Sequence, residues 1–211
     1  MTEQEVMAIL DKVGAIITNS HFRYTSGLHG SAYINKDAVY PHTAKTSLLC
    51  RALAEPFSVL GYPVEVVIGP AIGGVILSQR TADRLSEIQG DQVLSVYAEK
   101  EGDTFVIKRG YDKLIAGKRV LVVEDVLTTG GSARKVIEAV RAVGGIVIGL
   151  SVLCNRGGVT VADVGDPPRL NALMNLKLET YEPSTCPLCA QGIPINRDIG
   201  KGREFLARKQ G

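Results

Sequence analysis

The 211-residue chain has no apolar run approaching the length of a membrane-spanning helix, and its opening, MTEQEVMAIL, carries acids where a secretion signal would carry a positive run. A cytoplasmic protein with no membrane partner is expected. Cysteine is scarce: Cys50, Cys154, Cys186 and Cys189 are too few and too dispersed for the framework of a small secreted scaffold, so reduced thiols are expected. Charge of one sign is lacking too. A formal net charge of +2 is too small to imply a nucleic-acid surface, which needs a concentrated basic face, so any anion site is expected to be local. No G-x-G-x-x-G follows a strand and no G-x-x-x-x-G-K-[ST] occurs, so an NAD enzyme and a P-loop NTPase are disfavoured. Internal repeats and low-complexity tracts are absent.

What is present is ordinary globular material. Hydrophobic residues make up 45% and charged residues 22%, close to the globular average, so neither disorder nor a fibrous class is indicated. The length suits one α/β domain with an accessory segment. Residues 2–18 place Val6, Ile9, Leu10, Val13, Ile16 and Ile17 at helical spacing behind a Thr2/Glu5 capping box. Residues 21–40 change to aromatic and β-branched text around Ser26-Gly27 and Gly30, suited to short strands and turns. A helix follows from about Thr43 to Leu60, with Pro56 expected to kink it or end it early. Apolar segments at 64–69, 93–98, 119–123 and 146–153, separated by helices near 74–89 and 132–143, predict a mostly parallel sheet flanked by helices. The polar stretch 99–118, with TFVIK inside it, is expected to form a hairpin over the sheet edge, and the tail from about Leu170 offers one more strand.

The chemistry is concentrated in VLVVEDVLTTGGS, Val120 to Ser132. A buried strand delivers two adjacent carboxylates, Glu124 and Asp125, and then a small-residue loop that opens a helix. Thr128, Thr129, Gly130, Gly131 and Ser132 would present backbone N–H groups and hydroxyls to a phosphate, which the helix dipole also favours. The carboxylates upstream would repel that phosphate, yet they suit a diol, because ionised carboxylates only accept hydrogen bonds. The predicted ligand is a sugar phosphate.

VLVVEDVLTTGGS resembles the phosphoribosyl pyrophosphate signature of the type I phosphoribosyltransferases. Three further segments resemble the orotate branch of that family: HFRYTSGLHGSAYINKD, VVIGPAIGGVIL and CNRGG. The resemblance implies a type I phosphoribosyltransferase fold over 1–211, with a core of about 43–169 and a small hood mainly from 1–42 and about 170–211. It also implies Mg²⁺ carried mainly by phosphoribosyl pyrophosphate, and a homodimer whose loops serve the neighbouring subunit.

On that resemblance Glu124 and Asp125 meet the ribose hydroxyls, and Thr128 to Ser132 hold the 5'-phosphate. Ile72 and Gly73 belong to the pyrophosphate loop, and Lys100, Lys108 and Arg109 are the cations that would meet the leaving group. Asp125 and the three cations make the catalytic set. Tyr33 and Ile34 would present backbone to orotate, with Thr128 and Arg156 orienting it, since a guanidinium fork fits a planar carboxylate.

Three departures from the family pattern stand out. Thr25 replaces a lysine common before the Ser-Gly turn, and Ile72, Gly73 and Gly74 leave the pyrophosphate loop without its frequent lysine. The hairpin mixes Glu99 and Phe105 among its cations. Cys186-Pro-Leu-Cys189 has metal-ligand spacing, but no second pair lies nearby and His21, His29 and His42 show no ligand spacing, so a structural turn is expected there and no protein-bound metal. The competing readings are a phosphoribosyltransferase for another base and a non-catalytic sensor of phosphoribosyl pyrophosphate.

Overall fold

In the computed structural model, which describes residues 1–24, 26–176 and 178–199, helix α1 (Glu3–Lys12) starts on the expected reciprocal cap. The Thr2 N–H donates to Glu5 Oε2 at 2.8 Å, and the Glu5 N–H donates to Thr2 Oγ1 at 3.3 Å. The helix is shorter than its apolar spacing suggests. Gly14 adopts a left-handed φ of 69°, its N–H donates to Asp11 O, and the Ala15 N–H donates to Leu10 O at 2.8 Å. This Schellman closure ends the helix and releases Ile16 and Ile17 for a strand.

The chain divides into two compact units. The smaller comprises Ala8–Val39 and the tail from Lys177 on. It holds β1 (Ile16–Ile17), β2 (Phe22–Arg23), β3 (His29–Gly30) and β4 (Tyr33–Ile34), with β1 paired to β4 and β2 to β3, both antiparallel. The Ser-Gly turn joins β2 to β3, where Gly27 takes a φ of 90° and the Tyr24 N–H donates to Leu28 O at 2.9 Å. The tail joins through single bridges, His21 with Ile195 and His29 with Tyr181.

The larger unit comprises Met1–Met7 and Tyr40–Leu176. In chain order it contains α2 (Thr43–Ser58), β5 (Val66–Pro70), α3 (Gly73–Gln89), β6 (Leu94–Glu101), β7 (Thr104–Val106), α4 (Tyr111–Ile115), β8 (Arg119–Leu127), α5 (Gly131–Ala142), β9 (Ile146–Asn155) and β10 (Leu170–Asn175). Among the described residues its sheet runs β10-β9-β8-β5-β6-β7, and every pair is parallel except β6 with β7. Helix α2 ends two residues past Pro56, whose carbonyl accepts from Arg169 Nη1 at 2.8 Å. No helix among the described residues is long and apolar enough to cross a membrane.

The central strands are apolar at successive positions because both faces are covered. Val66, Ile68, Val120 and Val122 share a core with Ala133, Val136, Ile137 and Val140 of α5. On the opposite face lie α2 and α3, and Ser151 Oγ donates to Leu53 O at 3.0 Å. Gly149 of β9 permits the closest approach there: a Cβ at this position would overlap the buried Phe57 ring and stand 3.1 Å from Arg169 O. Gly149→Ala is therefore expected to destabilise the protein by about 1–3 kcal/mol, the usual cost of overpacking a well-filled core. Urea denaturation measures it, and an unchanged midpoint would mean that α2 does not press on the sheet there.

Candidate active site

Loops leave the carboxyl ends of β9, β8, β5 and β6, which are neighbours in that order, so they line one edge of the sheet. The chain steps from β5 to β6 on one side and later places β8 on the other. The switch in strand order thus falls between β5 and β8, the position at which open α/β sheets bind ligands.

Glu124 and Asp125 occupy the last turns of the pleat in β8, with only 6% and 5% of their surfaces exposed. The sequence reading ends this strand at Val123, whereas the structure continues it through both acids to Leu127. Each carboxylate accepts from the next backbone N–H, Glu124 Oε1 from Asp125 N at 3.1 Å and Asp125 Oδ1 from Val126 N at 2.7 Å. Tyr40 hydroxyl lies 3.4 Å from Asp125 Oδ2 and 3.1 Å from Gly73 O, so one phenol links the acidic pair to the β5–α3 loop. That loop is tightly built. A Cβ on Gly69 would come within 2.6 Å of Gly74 O, and one on Gly74 within 2.7 Å of Pro70 Cδ. Ile72, at its tip, is 86% exposed, and the Ala71–Ile72 peptide is cis.

After Leu127 the chain turns through exposed Thr128 and Thr129 into α5. Gly130 is the N-cap with a φ of 77°, and a Cβ there would meet Val164 Cγ1 at 2.7 Å, so glycine is required both by conformation and by space. Gly131 and Ser132 form the first residues of the helix, where backbone N–H groups lack intrahelical acceptors. The neighbouring β9 loop braces this turn. Leu127 O accepts from both Arg156 N at 2.9 Å and Gly157 N at 3.1 Å, and a Cβ on Gly157 would overlap the Thr128 carbonyl. Arg156 Nη2 donates to Thr128 Oγ1 at 3.2 Å, while buried Asn155 exchanges two hydrogen bonds with Val159 backbone across the loop. The result is an acidic floor beside a small-residue helix start with a guanidinium at its margin: acceptors for a diol, donors for a phosphate, and a fork for a carboxylate.

The expected hairpin cations lie on or after β6. Lys108 Nζ pairs with Glu101 Oε1 at 3.0 Å, and Arg109 Nε with Glu99 Oε1 at 2.6 Å, both exposed. The Glu99 hydrogen bond raises the Arg109 pKa. Lys100 sits opposite Phe105 in the hairpin and makes no side-chain ion pair among the described residues. Tyr33 and Ile34 belong to the smaller unit as β4, where the Tyr33 ring lies 5.4 Å from Phe22 and Ile34 is buried. Thr25 lies outside the described residues.

One cluster was not visible as a group in the sequence. His21, His29, Cys186 and Cys189 converge in the smaller unit, although the pairs are more than 150 positions apart. Burial, helped by His21 and Arg23, lowers the His29 pKa. The local signal was the CxxC pair; its partners come only from the fold.

A family model, the phosphoribosyl transferase domain, matches residues 38–172, and the chain is a phosphoribosyltransferase by that measure. It is 44% identical to the orotate phosphoribosyltransferase of Pelotomaculum thermopropionicum over 92% of this chain and 95% of that one, and 38% identical to that of Caldanaerobacter subterraneus over 92% and 96%. The chain therefore belongs to the orotate phosphoribosyltransferases. Its fold is that of the Mycobacterium tuberculosis orotate phosphoribosyltransferase crystallised with Fe(III) dicitrate, with a TM-score of 0.66 at 22% identity over 82% of this chain and 96% of that one.

Gly157→Ala should disturb the helix-start loop without touching a ligand, because the added methyl must displace the Thr128 backbone. Titration with ribose 5-phosphate is expected to show binding weaker by about tenfold or more, equivalent to about 1.4 kcal/mol, with the far-ultraviolet circular dichroism unchanged. Unaltered affinity would show that the β9 loop does not set the phosphate cradle.

Proposed function

We propose that this protein transfers the phosphoribosyl group of 5-phosphoribosyl 1-pyrophosphate to orotate, giving orotidine 5'-monophosphate and pyrophosphate in pyrimidine nucleotide biosynthesis. The observation that carries the reading is the buried Glu124–Asp125 pair running into the glycine-capped start of α5, with Arg156 donating to Thr128 beside it. The names of the relatives supply the base.

In this reading the ribose hydroxyls donate to Glu124 and Asp125, and the 5'-phosphate accepts from backbone and hydroxyl groups of Thr128, Thr129, Gly130, Gly131 and Ser132. Orotate lies along Arg156 and Thr128, its carboxylate on the guanidinium, and Tyr33 and Ile34 are assigned to orotate binding on the family resemblance. The family's hood is assigned mainly to residues 1–42 and about 170–211. Orotate N1 forms the new bond to C1' as the C1'–O bond breaks, the departing oxygen takes the electron pair, and the N1 proton is released. Negative charge grows on pyrophosphate, so positioned cations favour the transition state over the bound substrate. Lys100, Lys108 and Arg109 are assigned this role, with the Ile72–Gly73 backbone beside the diphosphate.

Mg²⁺ fits this donor set. Two carboxylates and substrate phosphate oxygens suit an ion that keeps several waters and does not need a protein cage. Carried mainly by phosphoribosyl pyrophosphate, it would be held near Glu124 and Asp125 and would supply charge withdrawal from the leaving diphosphate. The enzyme is taken to work in the cytoplasm as a homodimer, with hairpin 99–118 serving the neighbouring subunit, and to bind neither nucleic acid nor membrane.

Asp125→Asn keeps the shape of the side chain and removes a charged acceptor. Turnover at saturating substrates should fall on the order of 100-fold, while the thermal midpoint of the ligand-free protein should not fall, since a buried charge beside Glu124 is lost. Turnover near wild type would refute the ribose assignment.

Base choice is tested by pyrophosphate release across a panel of bases. Orotate should be used and uracil, lacking the carboxylate, should be poor. Arg156→Leu should lower catalytic efficiency with orotate by about 30-fold or more, because losing one partner of a charge pair in a binding site costs on the order of 2–5 kcal/mol. Phosphoribosyl pyrophosphate affinity should change little. Equal use of orotate and uracil by the wild type would exclude orotate as the dedicated substrate and leave the phosphoribosyl transfer itself standing.

A further inference from the structure

The smaller unit has a sparse interior. Its strands are two residues long each, and its described buried apolar side chains are chiefly Leu10, Ala15, Phe22, Tyr24, Ile34 and Val39. A unit of this kind is usually held by a metal or by disulfides. The four cysteines of the chain are all thiols. At the junction of the β2–β3 turn with the tail, however, two imidazoles and two thiols meet, all four donor atoms within 4.8 Å of one another.

We infer that His21 Nε2, His29 Nδ1, Cys186 Sγ and Cys189 Sγ form a tetrahedral site for one structural divalent metal ion, Zn²⁺ by chemistry, that staples the tail to the N-terminal turns. With Zn–S of about 2.3 Å and Zn–N of about 2.0–2.1 Å, the edges of the tetrahedron are about 3.3 Å between nitrogens and about 3.5 Å between nitrogen and sulfur. The corresponding separations here are 2.9 Å between the nitrogens, 3.7 and 3.8 Å from His21 Nε2 to Cys186 and Cys189, and 3.3 Å from His29 Nδ1 to Cys189. Shifts of a few tenths of an ångström admit the ion.

The orientation of His21 is independent support. Its Nδ1 lies 2.7 Å from Ile193 O, and a carbonyl only accepts, so Nδ1 carries the proton and Nε2 turns a lone pair toward the cluster. A backbone carbonyl on the far nitrogen is the usual outer partner of a metal-bound histidine. His29 and the tail are locked by paired backbone bonds, His29 N–H to Tyr181 O and Tyr181 N–H to His29 O, both 2.9 Å, and Asn196 N–H donates to His21 O at 2.7 Å. Two thiolates and two imidazoles in a closed set favour Zn²⁺ over Mg²⁺, and four protein ligands leave no position for substrate, so the ion is structural.

The full-length protein, purified without chelator, should contain about one zinc per chain by mass spectrometry. After removal of metal by a strong chelator, the thermal midpoint should fall on the order of 10 °C and should recover with Zn²⁺ but not with excess Mg²⁺. Titration of the stripped wild type with Co²⁺ should give the intense visible bands of a tetrahedral ion and a thiolate-to-cobalt charge-transfer band. A Cys186→Ser/Cys189→Ser variant should lose the charge-transfer band; this distinguishes the pair from Cys50 and Cys154, whose thiols burial pushes up to about 12. The cobalt spectrum of the wild type needs no variant to fold. The site is disproved by weak octahedral bands alone, by a midpoint indifferent to chelation, or by a charge-transfer band that survives in the double variant.

Discussion

Two adjacent acids buried at the end of a central parallel strand are the constraint around which the larger unit is arranged. Removing an ionised carboxylate from water is costly unless hydrogen bonds replace its hydration. Glu124 and Asp125 meet that demand partly with their own next backbone N–H groups. The strand carries both acids on to Leu127 because its parallel ladder with β9 continues past them, Glu124 opposite Val152, Val126 opposite Cys154 and Leu127 opposite Asn155. Tyr40 then ties Asp125 to the β5–α3 loop, and the Gly69–Gly74 contact brings that loop against its own strand. The two loops on either side of the strand-order switch are thus positioned through one carboxylate.

A similar constraint holds at the start of α5, where the proposed reaction places the 5'-phosphate. A phosphate cradle at a helix start needs backbone N–H groups held open, and the open conformation has to be imposed from outside the helix. Gly130 supplies the left-handed residue, packed on Val164, and Gly157 lets the neighbouring loop lie directly on the Thr128 carbonyl. The Arg156–Gly157 pair therefore combines two tasks on adjacent residues: one braces the cradle through backbone, and the other carries the guanidinium that the base carboxylate would meet.

Much of this was legible in the sequence. Parallel strands covered on both faces are written as unbroken apolar runs, and the string from Val120 to Ser132 names its own strand, acids, loop and helix in order. Contacts that depend on distant pairing were not legible. Helix α1 stops at Lys12 because Gly14 closes it, and the isoleucines that extend its apolar period are the ones needed by β4. Periodicity cannot see a partner strand. The hairpin cations were recognisable as charges, but their pairing with Glu99 and Glu101 required the antiparallel register. The histidine–cysteine cluster is the extreme case, since each half has an innocuous local reading and only the fold joins them.

The ion pairs of the hairpin bear on how the pyrophosphate end of the site can work. Lys108 and Arg109 are held by acids on exposed surfaces, where such pairs are weak and screened by salt. In the proposed reaction, exchanging Glu101 and Glu99 for a diphosphate of higher charge would be a small loss against a larger gain. The β5–α3 loop has no cation of its own, since its tip is the exposed Ile72 where a lysine is common in the family. In that reaction, stabilisation of the leaving group by protein side chains would fall on the hairpin, where Lys100, opposite Phe105, makes no ion pair among the described residues and would meet the diphosphate without first leaving an acid.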